Sequence, residues 1–175
     1  MTHFPPGISP KPFGALLTFP LLLLFSILPH ASQAQTTTMA TETQNKQLIQ
    51  RAFTGWADGT GNFFDLLADD VRWTITGSAQ QSKTYTNKQR FLDEVITPLN
   101  LRLAKKITPK VRGLYADGDV VIALWDGTAT ATDGQPYNVT YSWHMRLAAG
   151  KIVEVTAFLD TLGFADIMQR ISISK

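Results

Sequence analysis

The chain has 175 residues, 44% of them hydrophobic, with a formal charge of +2 and no cysteine. So small a net charge gives no global field to attract nucleic acid or an anionic membrane. The missing thiols exclude disulfides and thiolate metal sites, so the fold must be held by burial alone.

The first elements in chain order are those of a leader. Residues 13–28 form an apolar run preceded by Lys11, and Ser32-Gln33-Ala34 places small residues at the two positions a signal peptidase reads. Pro20 interrupts the run, which is shorter than the roughly 20 apolar residues a membrane span needs. The layout predicts a signal peptide over 1–34, cleavage after Ala34 and a secreted or periplasmic protein with no stable membrane anchor. Lys11 is the one Lys or Arg in that segment, so its loss takes the charge from +2 to +1. His3 and His30 leave with the leader, and His144 alone cannot build a multi-histidine metal site. No metal and no cofactor are expected.

Residues 35–43 are polar and aperiodic, which predicts a flexible leader to a single domain over 44–175. From Gln44, Leu48, Ala52, Phe53 and Trp56 form one apolar stripe of a helix that ends at Gly59. Asn62 is a cap candidate for a short second helix through Leu67. Alternation over 69–75 predicts a strand that contains Trp73. Asn87 starts a third helix with Phe91, Leu92, Val95, Ile96 and Leu99 inward, and Pro98 is expected to kink or end it.

Asp117-Gly118, Asp133-Gly134 and Ala149-Gly150 lie sixteen residues apart and divide 107–160 into a four-stranded antiparallel meander. Leu162–Ile171 is a closing amphipathic segment. Helices followed by a long curved antiparallel sheet make an α+β fold with helices on one face. If the last two turns are two-residue loops, one sheet face carries Leu124, Asp126, Thr128, Val139, Tyr141, Trp143, Thr156, Phe158 and Asp160. That mixture of greasy walls and few polar groups is a ligand pocket's composition. The same count puts Trp125 and His144 on the opposite face. The cluster Lys105, Lys106, Lys110 and Arg112 reads as alternation on an outer strand. It lacks the aromatic interleaving of a nucleic-acid surface.

Leu67-Ala68-Asp69-Asp70-Val71-x-Trp73, Gly77, Tyr85, Asp133-Gly134-x-Pro136-Tyr137-Asn138, Gly150-Lys151-Ile152 and Phe158-x-Asp160-Thr161 together resemble SnoaL-like proteins of the nuclear transport factor 2-like (NTF2-like) superfamily. The resemblance spans roughly residues 45–171. It implies a cone in which three N-terminal helices pack on a strongly curved sheet around an internal apolar pocket. Homodimers through the sheet faces are implied as well. Members include polyketide cyclases, ketosteroid isomerases, epoxide hydrolases and proteins that only bind. The isomerases' catalytic positions fall here on Ala52, Ile75 and Trp143, which argues against that chemistry. The epoxide hydrolases' arginine between two aspartates finds carboxylates at Asp126 and Asp160, but no arginine on the predicted face. In the cyclases, the aspartate ending the last strand is the acid/base, and Asp160 matches it. Their partner histidine aligns with His144, which the register count places elsewhere, so that role stays open.

The expectation is therefore a cofactor-independent isomerase, cyclase or lyase on a small hydrophobic carbonyl compound. Asp160 would act as acid/base, Tyr141 and Asp126 as helpers, and Trp56, Trp73, Leu124, Trp143 and Phe158 as pocket wall. The alternative is a non-catalytic binder of small hydrophobic molecules. Asp160 also sits where a cap for the following helix belongs, and both roles stay open for it.

Overall fold

A computed structural model describes residues 1–3 and 30–173. The apolar run on which the signal-peptide reading rests lies outside the described residues. Among those described, no helix is long and apolar enough to cross a membrane.

Helix α1 spans His30–Ala57. It includes 35–43, which the sequence presented as an aperiodic leader: no glycine or proline interrupts 31–54, so nothing local breaks the helix. The Glu42 carboxylate accepts the backbone N–H of Gly118 at 3.0 Å, tying this part of α1 to a distant strand turn. Ile49 and Phe53 are fully buried on the inner side. The helix ends at Gly59, whose φ of 71° is the left-handed stop geometry. Asn62 then caps a 3-10 turn over Phe63–Leu66 by accepting the Phe64 N–H at 3.1 Å.

Strand β1 (Leu67–Ile75) pairs with the short β2 (Thr84–Tyr85). Asn87 caps α2 (Lys88–Phe91) by accepting the Arg90 N–H at 2.8 Å. The helix runs on through a π turn, Leu92–Ile96, into α3 (Thr97–Leu101). This is how Pro98 is absorbed. It lacks an N–H and its ring crowds the carbonyl four residues back, and the Thr97 N–H reaches five residues back to the Leu92 carbonyl. The wider turn lets the helix continue past the proline instead of ending there.

Strands β3 (Leu103–Asp117), β4 (Val120–Ala131), β5 (Pro136–Ala148) and β6 (Lys151–Leu159) form the meander, and α4 (Thr161–Arg170) closes the chain. The sheet order is β2-β1-β6-β5-β4-β3. The meander is antiparallel throughout, but β1 joins β6 in parallel, so the sheet is mixed and not wholly antiparallel. It is curved and unclosed, with the helices packed on it. The β3–β4 register slips at three places, Leu103/Lys105, Lys105/Thr108 and Val111/Gly113, each time by an extra residue on β3. Bulges bend and twist the strand that carries them, and β3 thereby curls its first half toward the helices.

Two further irregularities decide which side chains face the helices. Ala131 and Gln135 bracket a three-residue loop: the Ala131 N–H donates to the Gln135 carbonyl at 2.8 Å, and Gly134 has φ 85°. This is the turn-plus-glycine-bulge hairpin, not the two-residue one. It shifts the β4–β5 pairing by one, so that Trp125 faces Tyr141. In β6, Val153 is an extra residue between the pairs Leu147–Ile152 and Arg146–Glu154. Beyond it the expected faces of β6 are exchanged. Ala157 and Leu159 therefore pair with Trp143 and Tyr141 on the inner side, whereas Phe158 and Thr156 sit outside.

Ala149-Gly150 is the predicted two-residue loop, with φ of 48° and 73°. Two positive φ values suit Asn-Gly, whereas alanine in this region is strained by about 1–2 kcal/mol. Ala149→Asn should therefore raise unfolding stability by about 0.5–1 kcal/mol. Urea denaturation measures this directly, and an unchanged or lower midpoint would contradict the turn geometry.

Candidate functional site

Between the helices and the inner sheet face lies a cavity of about 970 Å³. Trp56 brings the end of α1 to it, Trp73 and Ile75 come from β1, and Leu92, Val95 and Ile96 come from the π turn. The sheet contributes Trp125, Tyr141, Trp143, Ala157 and Leu159, and the bulged start of β3 contributes residues 105–108. The wall is an aromatic lattice. Trp73 stacks on Phe91 at 4.1 Å and meets Trp143 edge-on at 4.9 Å, and Trp143 in turn meets Trp125 edge-on at 4.6 Å. Offset and edge contacts of this kind add about 0.5–1.5 kcal/mol each beyond burial.

Trp125 stacks equally close on Tyr141, with centroids 4.1 Å apart and planes within 8°. Gly127 makes room for it. A Cβ there would meet Trp125, Tyr141 and Ile107 at 3.1 Å each. The Tyr141 hydroxyl is paired with that of Tyr137 at 2.9 Å, both buried. Burial raises Tyr141 well above its ordinary value, and the neighbouring Tyr137 adds to this. Burial likewise pushes Tyr137 up to about 12, against the lowering effect of its bond to Tyr141, with the negative Asp160 nearby adding to the rise. Both phenols are therefore neutral at physiological pH. Whichever hydroxyl accepts within the pair keeps its own proton as a donor.

Of the residues expected to form the site, Trp56, Trp73, Tyr141 and Trp143 line the cavity. Leu124, Asp126 and Phe158 do not. The longer β4–β5 loop and the Val153 bulge turn all three to the outer sheet face, where Phe158 is 46% exposed. There Asp126 lies 3.6 Å from Arg112 and accepts the Thr140 hydroxyl at 2.7 Å. The arginine that the sequence count missed beside Asp126 is thus present, but on the outside. His144 is also on this face, 5.2 Å from Phe158 by ring centroids, as the register count placed it. Trp125, counted as outer, is an inner residue.

Asp160 is exposed and is not among the residues lining the cavity. Its carboxylate accepts the backbone N–H groups of Leu162 and Gly163 at 3.0 and 3.3 Å, which makes it the N-cap of α4. Of the two roles open to it, the geometry shows the cap. Among the described lining residues the sole carboxylate is Asp58, exposed after the end of α1. Lys105 and Lys106 belong to the cavity rim, where the bulges break the alternation expected of β3.

Sequence reasoning missed Trp125, Tyr137 and the β3 bulge residues. Strand β5 carried a usable signal. Tyr137, Val139, Tyr141, Trp143, Met145 and Leu147 alternate without a break, and all six are buried.

If capping is the role of Asp160, Asp160→Ala should cost about 1 kcal/mol of stability, while Asp160→Asn, an equally good cap, should stay within a few tenths. Chemical denaturation separates these. A marked stabilisation by Asn would instead reveal a carboxylate held at a cost.

A family model for the SnoaL-like domain matches residues 49–155, more than half of the chain. Comparison with curated proteins gave no match. Among solved structures, an NTF2-like protein from Burkholderia thailandensis superposes with TM-score 0.59 at 24% identity, covering 71% of this chain and 97% of that one. A putative SnoaL-like polyketide cyclase from Jannaschia gives TM-score 0.59 at 17% identity, covering 75% and 96%. TerC, co-crystallised with polyporic acid, gives 0.58 at 17%, covering 71% and 98%. At these identities the structural likeness establishes the fold, an NTF2-like cone. Family match and fold agree: the chain belongs to the SnoaL-like domain family and has the NTF2-like fold.

Proposed function

We propose that the protein binds a small, planar hydrophobic molecule inside the cone. The observation that carries this reading is a cavity of about 970 Å³ whose wall is mainly aromatic and aliphatic and which holds no buried carboxylate among its described lining residues. Flat, rigid walls built from Trp56, Trp73, Trp125 and Trp143 offer stacking area at little entropic cost. The few polar groups fix orientation. Export by the leader and a homodimer packed through the outer sheet faces belong to the same reading. Exposed Phe158 supports the dimer.

A second reading, a cofactor-independent isomerase or cyclase on a hydrophobic carbonyl compound, is favoured by the Tyr137–Tyr141 pair. Two neutral phenols bonded to each other can present one proton to a ketone oxygen and stabilise the charge that develops there. Among the described lining residues there is no buried carboxylate to serve as a base, and the exposed Asp160 caps α4 through its Oδ1. Binding without turnover is the better fit.

The neutral fluorophore N-phenyl-1-naphthylamine tests the reading. It should bind with enhanced emission, and Ile96→Trp, which adds bulk on the cavity side of the π turn, should weaken binding by roughly tenfold or more. The variant's melting temperature should hold. No enhancement in the wild-type protein, or an unaffected variant, would sink the proposal. Incubation with 1-tetralone in deuterated water separates the two readings. A binder leaves the α-hydrogens at the buffer rate, whereas Tyr141-dependent exchange would establish the enzyme.

A further inference from the structure

The apolar wall speaks for the body of a guest, and the mouth of the cavity speaks for its head. Exposed lining residues mark where the cavity opens: Asp58 and Asn62 after α1, Thr97 on α3, and Lys105, Lys106 and Thr108 on β3. Residues 105–108 line it without a break. A regular strand cannot do this, because successive side chains point to opposite faces. Here β3 carries an extra residue between the pairs Leu103–Ala131 and Lys105–Thr130, and another before Thr108–Thr128. Such bulges re-aim the side chains beside them. The strand thereby becomes graded along the cavity. Lys105 and Lys106 lie exposed at the open end, whereas Ile107 is half-buried and crowds Gly127 together with the rings of Trp125 and Tyr141.

The two lysines differ. Lys106 donates its ammonium protons to the carbonyls of Asn100 and Leu103, tying β3 to the end of α3. The Lys105 ammonium has no carboxylate or carbonyl partner among the described residues. Against these two cations the described lining sets one carboxylate, Asp58, which forms no ion pair with either.

We propose that the guest is a hydrophobic acid, its apolar body inside the cone and its anionic group held at the mouth by Lys105. This rests on the cavity being a binding site. An exposed ammonium keeps its water while the site is empty, and it brings three donors and no acceptor to an incoming group. Deep in the chamber an anion would lose its hydration, with no buried cation among the described lining residues to replace it. At the rim it keeps part of its water and gains a cation, so the acid enters apolar end first. A cationic head meets two lysines against one aspartate and is disfavoured.

N-Phenyl-1-naphthylamine and 8-anilino-1-naphthalenesulfonate share one aromatic skeleton and differ in a single anionic group, the sulfonate standing in for a carboxylate. In fluorescence titrations, Lys105→Gln should weaken the sulfonate roughly three- to fivefold, the scale of one partly solvated ion pair, and leave the neutral probe within about 1.5-fold. Lys110→Gln, on the same strand but outside the lining, should leave both probes unchanged. In the wild-type protein, raising salt from about 0.01 M to about 1 M should weaken the sulfonate severalfold and spare the neutral probe. That reading needs no variant to fold, and a sulfonate indifferent to salt would overturn the proposal. An equal loss of both probes in Lys105→Gln would make the lysine a structural part of the mouth and also overturn it. So would an equal loss of the sulfonate in Lys110→Gln, which would reduce the effect to general surface charge. Undiminished sulfonate binding in Lys105→Gln would remove the anchor and leave the cavity reading standing. Binding of neither probe would remove the cavity reading and this inference together.

Discussion

The stack of Trp125 on Tyr141 is the contact from which the interior of this protein is built. It joins neighbouring strands β4 and β5 at one register position, and it needs a glycine at 127 so that two rings and Ile107 can occupy the space a methyl would fill. Once these rings lie flat against each other, Trp143 must stand edge-on to Trp125, and Trp73 edge-on to Trp143. Each ring constrains the next, and the cavity is what remains between this wall and the helices. The bulges of β3 bring residues 105–108 to the rim, and the π turn forced by Pro98 sits opposite, presenting Leu92, Val95 and Ile96.

Much of this was legible in the sequence because local chemistry was unambiguous. Asn62 and Asn87 cap the segments their positions announced, and Ala149-Gly150 makes the tight loop expected of it. The α+β layout and the meander follow from turn signals and alternation. Parity was harder. Strand β4 reads Val120, Val121, Ile122, Ala123, Leu124, Trp125, apolar on both faces, so its orientation depends wholly on the length of the loop after it. Asp133-Gly134 is compatible with two-residue and three-residue hairpins, and the choice between them turned Trp125 inward and Asp126 outward. The bulge at Val153 has no turn residue to mark it, and it displaced Phe158 in the same manner.

Family membership carries less functional information here than the cone suggests, because a fold hosts both catalysts and binders. The difference lies in where charge is placed. A base inside an apolar cavity must be buried and near its target, whereas the exposed carboxylate at the end of β6 caps α4, its Oδ1 accepting two backbone N–H groups. Among the described lining residues the interior offers Tyr141, held neutral by burial together with its partner Tyr137, and no buried carboxylate. Such a lining suits the guest binding proposed above.

The most direct test of this account is the set of indole N–H resonances in a ¹H–¹⁵N correlation spectrum, one for each of the four tryptophans, recorded as 9-fluorenone is added. The account predicts that the Trp56, Trp73 and Trp143 signals move through ring currents. Indole resonances that stay fixed while fluorenone binds would place the guest outside the cone and contradict the account.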